Sequence, residues 1–351
     1  MENHKSVVVG LSGGVDSAVA AVLLQQAGFD VLGVTLHLWH VAPETTTSLA
    51  DRARAITDAL RIPLQVLDVR ERFYHDVVLP FADTYARGQT PNPCVVCNPR
   101  LKFDALLAEA DRVGATWIAT GHYARVTHPS ADPAQLLRAR SRRRDQSYML
   151  HRLTQRVLTR LRLPLGELED KTAVRELARK LDLPSANVHD SQDLCFLAGG
   201  DYRPLLKEMR PESFKPGPIL DETGNVLGQH QGLPNYTVGQ RSGLGLATKG
   251  KLYVLALRST DNALIVGPAE RLQQSDCWLR DVTFTQDRPP ALRFCANVRI
   301  RYRAPLVPAK VELLEEDLAH VTFDQPQRAP APGQSVVFYQ GDIVLGGGII
   351  R

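Results

Sequence analysis

The order of elements in this 351-residue chain predicts an α/β fold: a doubly wound parallel-sheet domain, then a small central domain, then a C-terminal β-barrel. Three observations predict it. From Ser6 to about Thr120, short β-branched runs alternate with helical patterns, the signature of a parallel sheet with helices on both faces. Prolines and glycines then become frequent between Arg203 and Gly250. Beyond about Cys277 the chain reads as short strands separated by turns. The boundaries fall near 1–200, 201–270 and 271–351.

In chain order, strands are expected at 7–9, 31–38 and 64–69, and helices at 17–27 and 49–60. Gly28 supplies a left-handed stop to the first helix. A helix after Pro99 should bury Phe103, Leu106, Leu107, Ala110 and Val113 on one side. Another helix is expected at 172–181, and strands of the barrel at 299–302 and 335–339. Hydrophobic residues make up 44% of the chain and charged residues 23%, a globular balance, and no apolar run is long enough to span a bilayer. The N-terminus shows no signal-peptide core, so a cytoplasmic location is expected. Five cysteines are too few and too uneven for a disulfide framework and read better as metal ligands or catalytic thiols. The net charge of +4 points only weakly to an acidic partner.

Gly10-Leu11-Ser12-Gly13-Gly14-Val15-Asp16-Ser17 follows the first strand and opens a helix. Its glycines let several N–H groups and the positive helix end face one anion, which points to a nucleotide-binding domain over residues 1–200; the alternative is a tight strand-to-helix turn capped by serine. No lysine follows the glycines, so this is not the loop that cleaves a γ-phosphate. It resembles the pyrophosphatase-type SGGxDS loop, which grips the β- and γ-phosphates while a nucleophile attacks the α-phosphate. Asp16 would then help hold magnesium.

Thr90-Pro91-Asn92-Pro93-Cys94-Val95-Val96-Cys97-Asn98 carries a C-x-x-C pair on a proline-stiffened loop, and 190–196 carries Cys195. Zinc, redox, iron–sulfur and plain burial all remain open for such a pair. An adenylating loop together with thiols suits conversion of a carbonyl to a thiocarbonyl, because oxygen must become a leaving group and sulfur must arrive as a nucleophile. Cys277 and Cys295 read as small core residues.

These motifs, with Gly121-His122-Tyr123, Asp145-Gln146-Ser147-Tyr148, Gly239-Gln240-Arg241 and the glycine-rich tail 332–348, resemble the tRNA-specific 2-thiouridylase family along nearly the whole chain. The resemblance implies ATP contacts at Gly10, Leu11, Ser12, Gly13, Gly14, Val15, Asp16, Ser17, Leu36 and Gly121. It implies a nucleophile at Cys97, a persulfide carrier at Cys195, and either a disulfide between the two or a transient hydrosulfide during turnover. Base and tRNA contacts correspond to Asn92, Pro93, Cys94, His122, Arg144, Asp145, Gln146, Arg301, Tyr302 and Gln334. The implied reaction is adenylation of a uracil 2-oxygen followed by sulfur attack on carbon 2, with ATP and magnesium, in tRNA supplied with sulfur by a cysteine desulfurase or a sulfur-relay protein. Three positions depart from the family pattern: Cys94 stands where many members have aspartate, Arg144 replaces a lysine, and Ser242 replaces another. With three thiols present, an alternative is a [4Fe–4S] cluster on Cys94, Cys97 and Cys195 that handles sulfide.

Five of the seven residues from Arg138 to Arg144 are arginine, and Arg299, Arg301 and Arg303 alternate, which on a strand would put them on one face. Both clusters are candidate phosphate contacts: the first, a charge run that would ordinarily be a solvated face, adjoins the Asp145 motif, and the second could equally be an outer sheet face in water. His122 is placed at the C-terminal end of a strand, where ligands gather, or it is a satisfied buried side chain. Rival readings are another adenylating ligase, a non-catalytic RNA-binding or sulfur-carrier protein, and a thiolase acting on a different base.

Overall fold

The computed structural model describes residues 5–39, 48–186, 194–197, 200–247, 250–315 and 317–351. Strands β1 (Ser6–Gly10), β2 (Asp30–His37), β3 (Leu64–Asp68) and β4 (Trp117–Thr120) come first. A hairpin of β5 (Ala124–Thr127) and β6 (Gln135–Arg138) precedes the short β7 (Leu161–Arg162). Five of these strands form an all-parallel sheet in the order β3, β2, β1, β4, β7. Because β1 is covered on both sides, it reads as an unbroken valine run. Val8 shares a core with Phe103, Leu106 and Leu107 of the helix Phe103–Val113. Val7 and Val9 share another with Ala21 and Leu24 of α1 (Val15–Gln26) and Ala53 of α2 (Leu49–Leu60). Sheet order reverses between β1 and β4, which opens a ligand crevice at their C-terminal ends.

Local chemistry sets the helix ends. Ser48 and Asp51 form a capping box that starts α2 at Leu49, and Gly28, at φ 78°, follows the end of α1. The helix after Pro99 departs from expectation in two ways. A π-turn, Asn98–Lys102, precedes it, and Val113 lies exposed in its last turn, outside the buried stripe.

The middle of the chain supplies β8 (Gly217–Leu220), β9 (Val226–His230), β10 (Tyr253–Arg258) and β11 (Ala263–Gly267), a small sheet in the order β10, β11, β8, β9. Its core is Ile219, Leu233, Tyr236, Val254, Leu264 and Val266. Then follow β12 (Gln273–Phe284), β13 (Arg293–Arg299), β14 (Val307–Glu315), β15 (Leu318–Arg328), β16 (Ser335–Gln340) and β17 (Ile343–Ile350). These pair antiparallel in the order β12, β15, β14, β13, β16, β17, and β17 returns to β12, so the barrel closes. Closure removes exposed sheet edges. The β5–β6 hairpin of the first domain attaches outside this ring: Leu137 pairs with Ile343, and the Arg138 N–H donates to the Asp342 carbonyl at 2.9 Å. No described helix is long and apolar enough to cross a membrane.

Candidate active site

The loop between β1 and α1 sits at the switch point of the sheet. Gly13 adopts φ 72°, and a Cβ there would fall 2.9 Å from Arg52 Cβ. Gly14 enters α1 in an extended conformation without a side-chain cap, which leaves first-turn N–H groups available to an anion at the positive end of the helix. Ser17 fixes the loop: its hydroxyl donates to the Gly14 carbonyl (3.0 Å) and accepts from the Ser12 N–H (3.1 Å). Asp16 is held from two sides. One carboxylate oxygen accepts from the Tyr123 hydroxyl at 2.7 Å and the other from the Lys171 ammonium at 2.8 Å. Lys171 opens the helix Lys171–Lys180, so the cation missing from the loop itself reaches the start of α1 from elsewhere in the chain.

Gly121 rests against the same helix start. A Cβ on it would lie 2.7 Å from both the Asp16 carbonyl carbon and the Ser17 nitrogen, so a larger residue would push β4 away from α1. The next residue, His122, places Nδ1 2.7 Å from Thr120 Oγ1 and its ring 5.9 Å from that of Phe103. Burial, and then the nearby charge of Lys102, push His122 down to about 3, which makes it a neutral imidazole at physiological pH.

The thiols lie beyond His122. Pro93 leads into a single helical turn, Cys94–Cys97, and Asn92 Oδ1 accepts the Cys94 N–H at 3.2 Å. Asn98 Nδ2 anchors the far end of that turn by donating to the Met149 carbonyl at 2.9 Å. Cys97 is buried in one apolar cluster with Phe73, Phe81, Leu101 and Phe196, while Cys94 is half-buried and Cys195 exposed. The three sit close enough to repel one another as thiolates: Cys97 feels both Cys94 and Cys195, and Cys195 feels Cys94. Desolvation pushes all three up, Cys97 to about 12, and the Lys102 charge pulls each of them down. Lys102 closes the π-turn that follows Cys97, and its ammonium makes no hydrogen bond or ion pair among the described residues.

The central domain and the barrel both hold the first-domain segment before these thiols. The Thr90 N–H donates to the Pro332 carbonyl (2.8 Å), Gln334 Nε2 donates to the Thr90 carbonyl (2.8 Å), and the Thr90 and Thr237 hydroxyls are 3.3 Å apart.

Comparison with known proteins fits this geometry. Residues 5–199 match the tRNA methyl transferase HUP domain, 203–268 the tRNA methyl transferase PRC-barrel domain, and 274–350 the aminomethyltransferase beta-barrel domain. The tRNA-specific 2-thiouridylase MnmA of Roseiflexus castenholzii is 46% identical over 98% of this chain and 98% of its own. That of Carboxydothermus hydrogenoformans is 46% identical over 99% and 98%, and that of Magnetococcus marinus 45% identical over 100% of both. The chain belongs to the tRNA-specific 2-thiouridylase family.

Against the thiouridylase pattern, Gly10 to Ser17, Gly121 and His122 converge, and Asn92, Pro93 and Cys94 adjoin Cys97. Leu36 lies one residue before the end of β2, half-buried beside Leu32 and Leu67. Cys195 is described, but residues 190–193 of its motif lie outside the described residues. The expected tRNA positions differ more in setting. Arg301 is exposed and donates to the Arg328 carbonyl, Tyr302 is half-buried with its ring 6.1 Å from that of Tyr148, and Arg144 is half-exposed. Gln146 accepts the Tyr123 N–H at 2.9 Å, and Asp145 is enclosed, with Arg138 at 3.4 Å and Arg299 at 3.3 Å. That buried pairing ties the first domain to the barrel.

Several sequence expectations need correction. β13 ends at Arg299 and the chain turns, so Arg299 faces inward while Arg301 and Arg303 face solvent; the three share no sheet face. In the arginine run, Arg138 pairs with Asp145, Arg140 with Glu167 and Arg142 with Asp342, so much of its charge is neutralised within the molecule. Cys295 is exposed rather than in the core, and all five cysteines are free thiols.

Two inorganic groups were expected. Asp16 is a poor direct magnesium ligand, since both its oxygens are engaged and Lys171 already balances its charge. For a [4Fe–4S] cluster the donor set does not fit: among the described residues no three His, Cys, Asp or Glu side chains converge as a metal site. Sequence reasoning gave no role to Lys102, just beyond the Cys97 turn, nor to Lys171, which carries no local signal at all.

Proposed function

We propose that this chain is an ATP-dependent sulfurtransferase that converts the wobble uridine of tRNA to 2-thiouridine. One observation carries the reading. Gly121 packs against the loop at Asp16 and Ser17, His122 follows it, and the charge of Lys102 acts on both His122 and the three thiols, so a chain of neighbours links the loop to the sulfur atoms. Residues 1–200 would be the adenine-nucleotide-binding catalytic domain, 201–270 a connecting domain and 271–351 the tRNA-binding barrel.

In this reading the loop N–H groups grip the β- and γ-phosphates of ATP, with magnesium arriving on the triphosphate and screening its charge. The uracil 2-oxygen attacks the α-phosphorus and pyrophosphate leaves. Neutral His122 offers the base a hydrogen-bonding imidazole without adding charge. The terminal sulfur of a Cys195 persulfide attacks carbon 2, and AMP departs with the former 2-oxygen. The Cys97 thiolate then attacks Sγ of Cys195, which frees 2-thiouridine and leaves a Cys97–Cys195 disulfide for an external dithiol to reduce. Alternatively, Cys97 attacks first and hydrosulfide is the nucleophile; the same disulfide results. A cysteine desulfurase or a sulfur-relay protein recharges Cys195, and the reaction belongs in the cytoplasm. Cys94, replacing an acid, has no acid–base assignment. Methyl transfer, which the matching domain descriptions mention, would require neither an activated α-phosphate nor a thiol pair.

Pyrophosphate release tests the scheme. It should depend on tRNA, persist in Cys97→Ala and Cys195→Ala, and be accompanied by 2-thiouridine in the unsubstituted protein alone. Release without tRNA, with both variants fully active, would instead establish an adenylating ligase.

A further inference from the structure

The exposed thiol of Cys195 stands on a short turn, closed by the Leu197 N–H donating to the Leu194 carbonyl at 3.0 Å. Leu194 and Leu197 are half-buried, whereas Phe196 is enclosed at 5% exposure. Its ring meets Phe73 edge-on at 5.6 Å and Phe81 edge-on at 5.2 Å, the arrangement in which aromatic quadrupoles attract. Phe81 in turn lies 6.4 Å from Tyr202, which stacks on Tyr85 at 4.4 Å, so the walls of this socket are braced from behind. The same walls bury Cys97.

We propose that Phe196 is a positioning residue: its ring plugs the Phe73–Phe81 socket and thereby registers the Cys195 turn against Cys97. An exposed thiol needs such a fixture. Without it the turn would sample many orientations, and a misplacement of about 1 Å at a reacting atom slows transfer by up to about 100-fold. The proposal rests on the proposed function only in giving that registry a purpose, namely sulfur handling between the two thiols.

The test uses neither tRNA nor ATP, so a failure of the thiolation reading leaves it interpretable. Diamide, a two-electron oxidant, joins the thiols of the full-length protein as a disulfide and takes up two protons; peptide mass spectrometry reads the rate of the Cys97–Cys195 link. In Phe196→Ala the link should form at least about tenfold more slowly, while iodoacetamide still labels Cys195 at the unsubstituted rate. A merely structural role would not separate these two readouts. A cross-linking rate within about twofold of the unsubstituted protein would overturn the proposal. Should Phe196→Ala not fold, Phe196→Leu decides the matter, since it keeps the apolar plug and loses the aromatic edges: slowing by about threefold or more supports the registry, and an unchanged rate overturns it.

Discussion

Lys102 acts on every titratable group of the thiol site. It pulls down Cys94, Cys97 and Cys195 and disfavours a charged His122. Sulfur nucleophiles react as anions, so a cation whose ammonium meets no acid among the described residues suits thiols whose ionisation desolvation opposes. Lys102→Met should therefore raise the pH at which Cys97 and Cys195 alkylate and cut the rate at pH 8 by up to about tenfold, whereas Lys102→Arg should preserve both. Iodoacetamide kinetics against pH, followed by peptide mass spectrometry, checks this; profiles that coincide for Met and Lys would remove Lys102 from the chemistry. Gly121 was placed only by the family resemblance, whereas the glycine-rich turn at 10–17 and the strand-end position of His122 were legible in the sequence, because each carries a local signature. Lys102 and Lys171 were not, since a charge that acts through space leaves no spacing to read.

At the scale of elements, α2 falls where the helical pattern near 49–60 put it, and the structure adds a local reason for its start in the Ser48–Asp51 capping box. The arginine run was misjudged for the opposite reason. Its partners, Glu167 and Asp342, lie on elements brought near by the fold, as does the Arg299 that meets Asp145. Asp145→Asn should destabilise the protein by about 3–5 kcal/mol in urea unfolding, since it takes the carboxylate from buried Arg299 and half-buried Arg138; a loss of under about 1 kcal/mol would show that the pairing is dispensable. Exposed Arg301 belongs to a different class. Arg301→Ala should weaken tRNA binding and lower its salt slope by about 0.7–0.9, at unchanged ATP affinity, as filter binding over a salt series would show.

On the scale of the whole molecule, the three-part architecture was legible from texture alone, but the joints between the parts were not. Pairing of the β5–β6 hairpin with β17, and the grip of Pro332, Gln334 and Thr237 on Thr90, are long-range facts. One joint should be visible in acid. His151 is fully buried, with Nδ1 2.8 Å from the Tyr148 carbonyl and Gly347 of the barrel against its ring, and burial pushes it down to about 3. Its folded value lies below the unfolded one, so the unfolded chain gains the proton first and stability falls as pH drops from about 6.5 towards 3. Between pH 7 and pH 5 that amounts to about 2 kcal/mol, read as a lower urea midpoint, and His151→Asn should remove this share of the slope.

The central claim is that the phosphate loop and the thiols serve one uridine. Its most direct measurement is nucleoside mass spectrometry of tRNA incubated with the protein, ATP, magnesium and a persulfide donor labelled with heavy sulfur. The account predicts labelled 2-thiouridine at the wobble position, dependent on ATP and absent with Cys195→Ala. Unlabelled or absent 2-thiouridine, or equal labelling in Cys195→Ala, would contradict it.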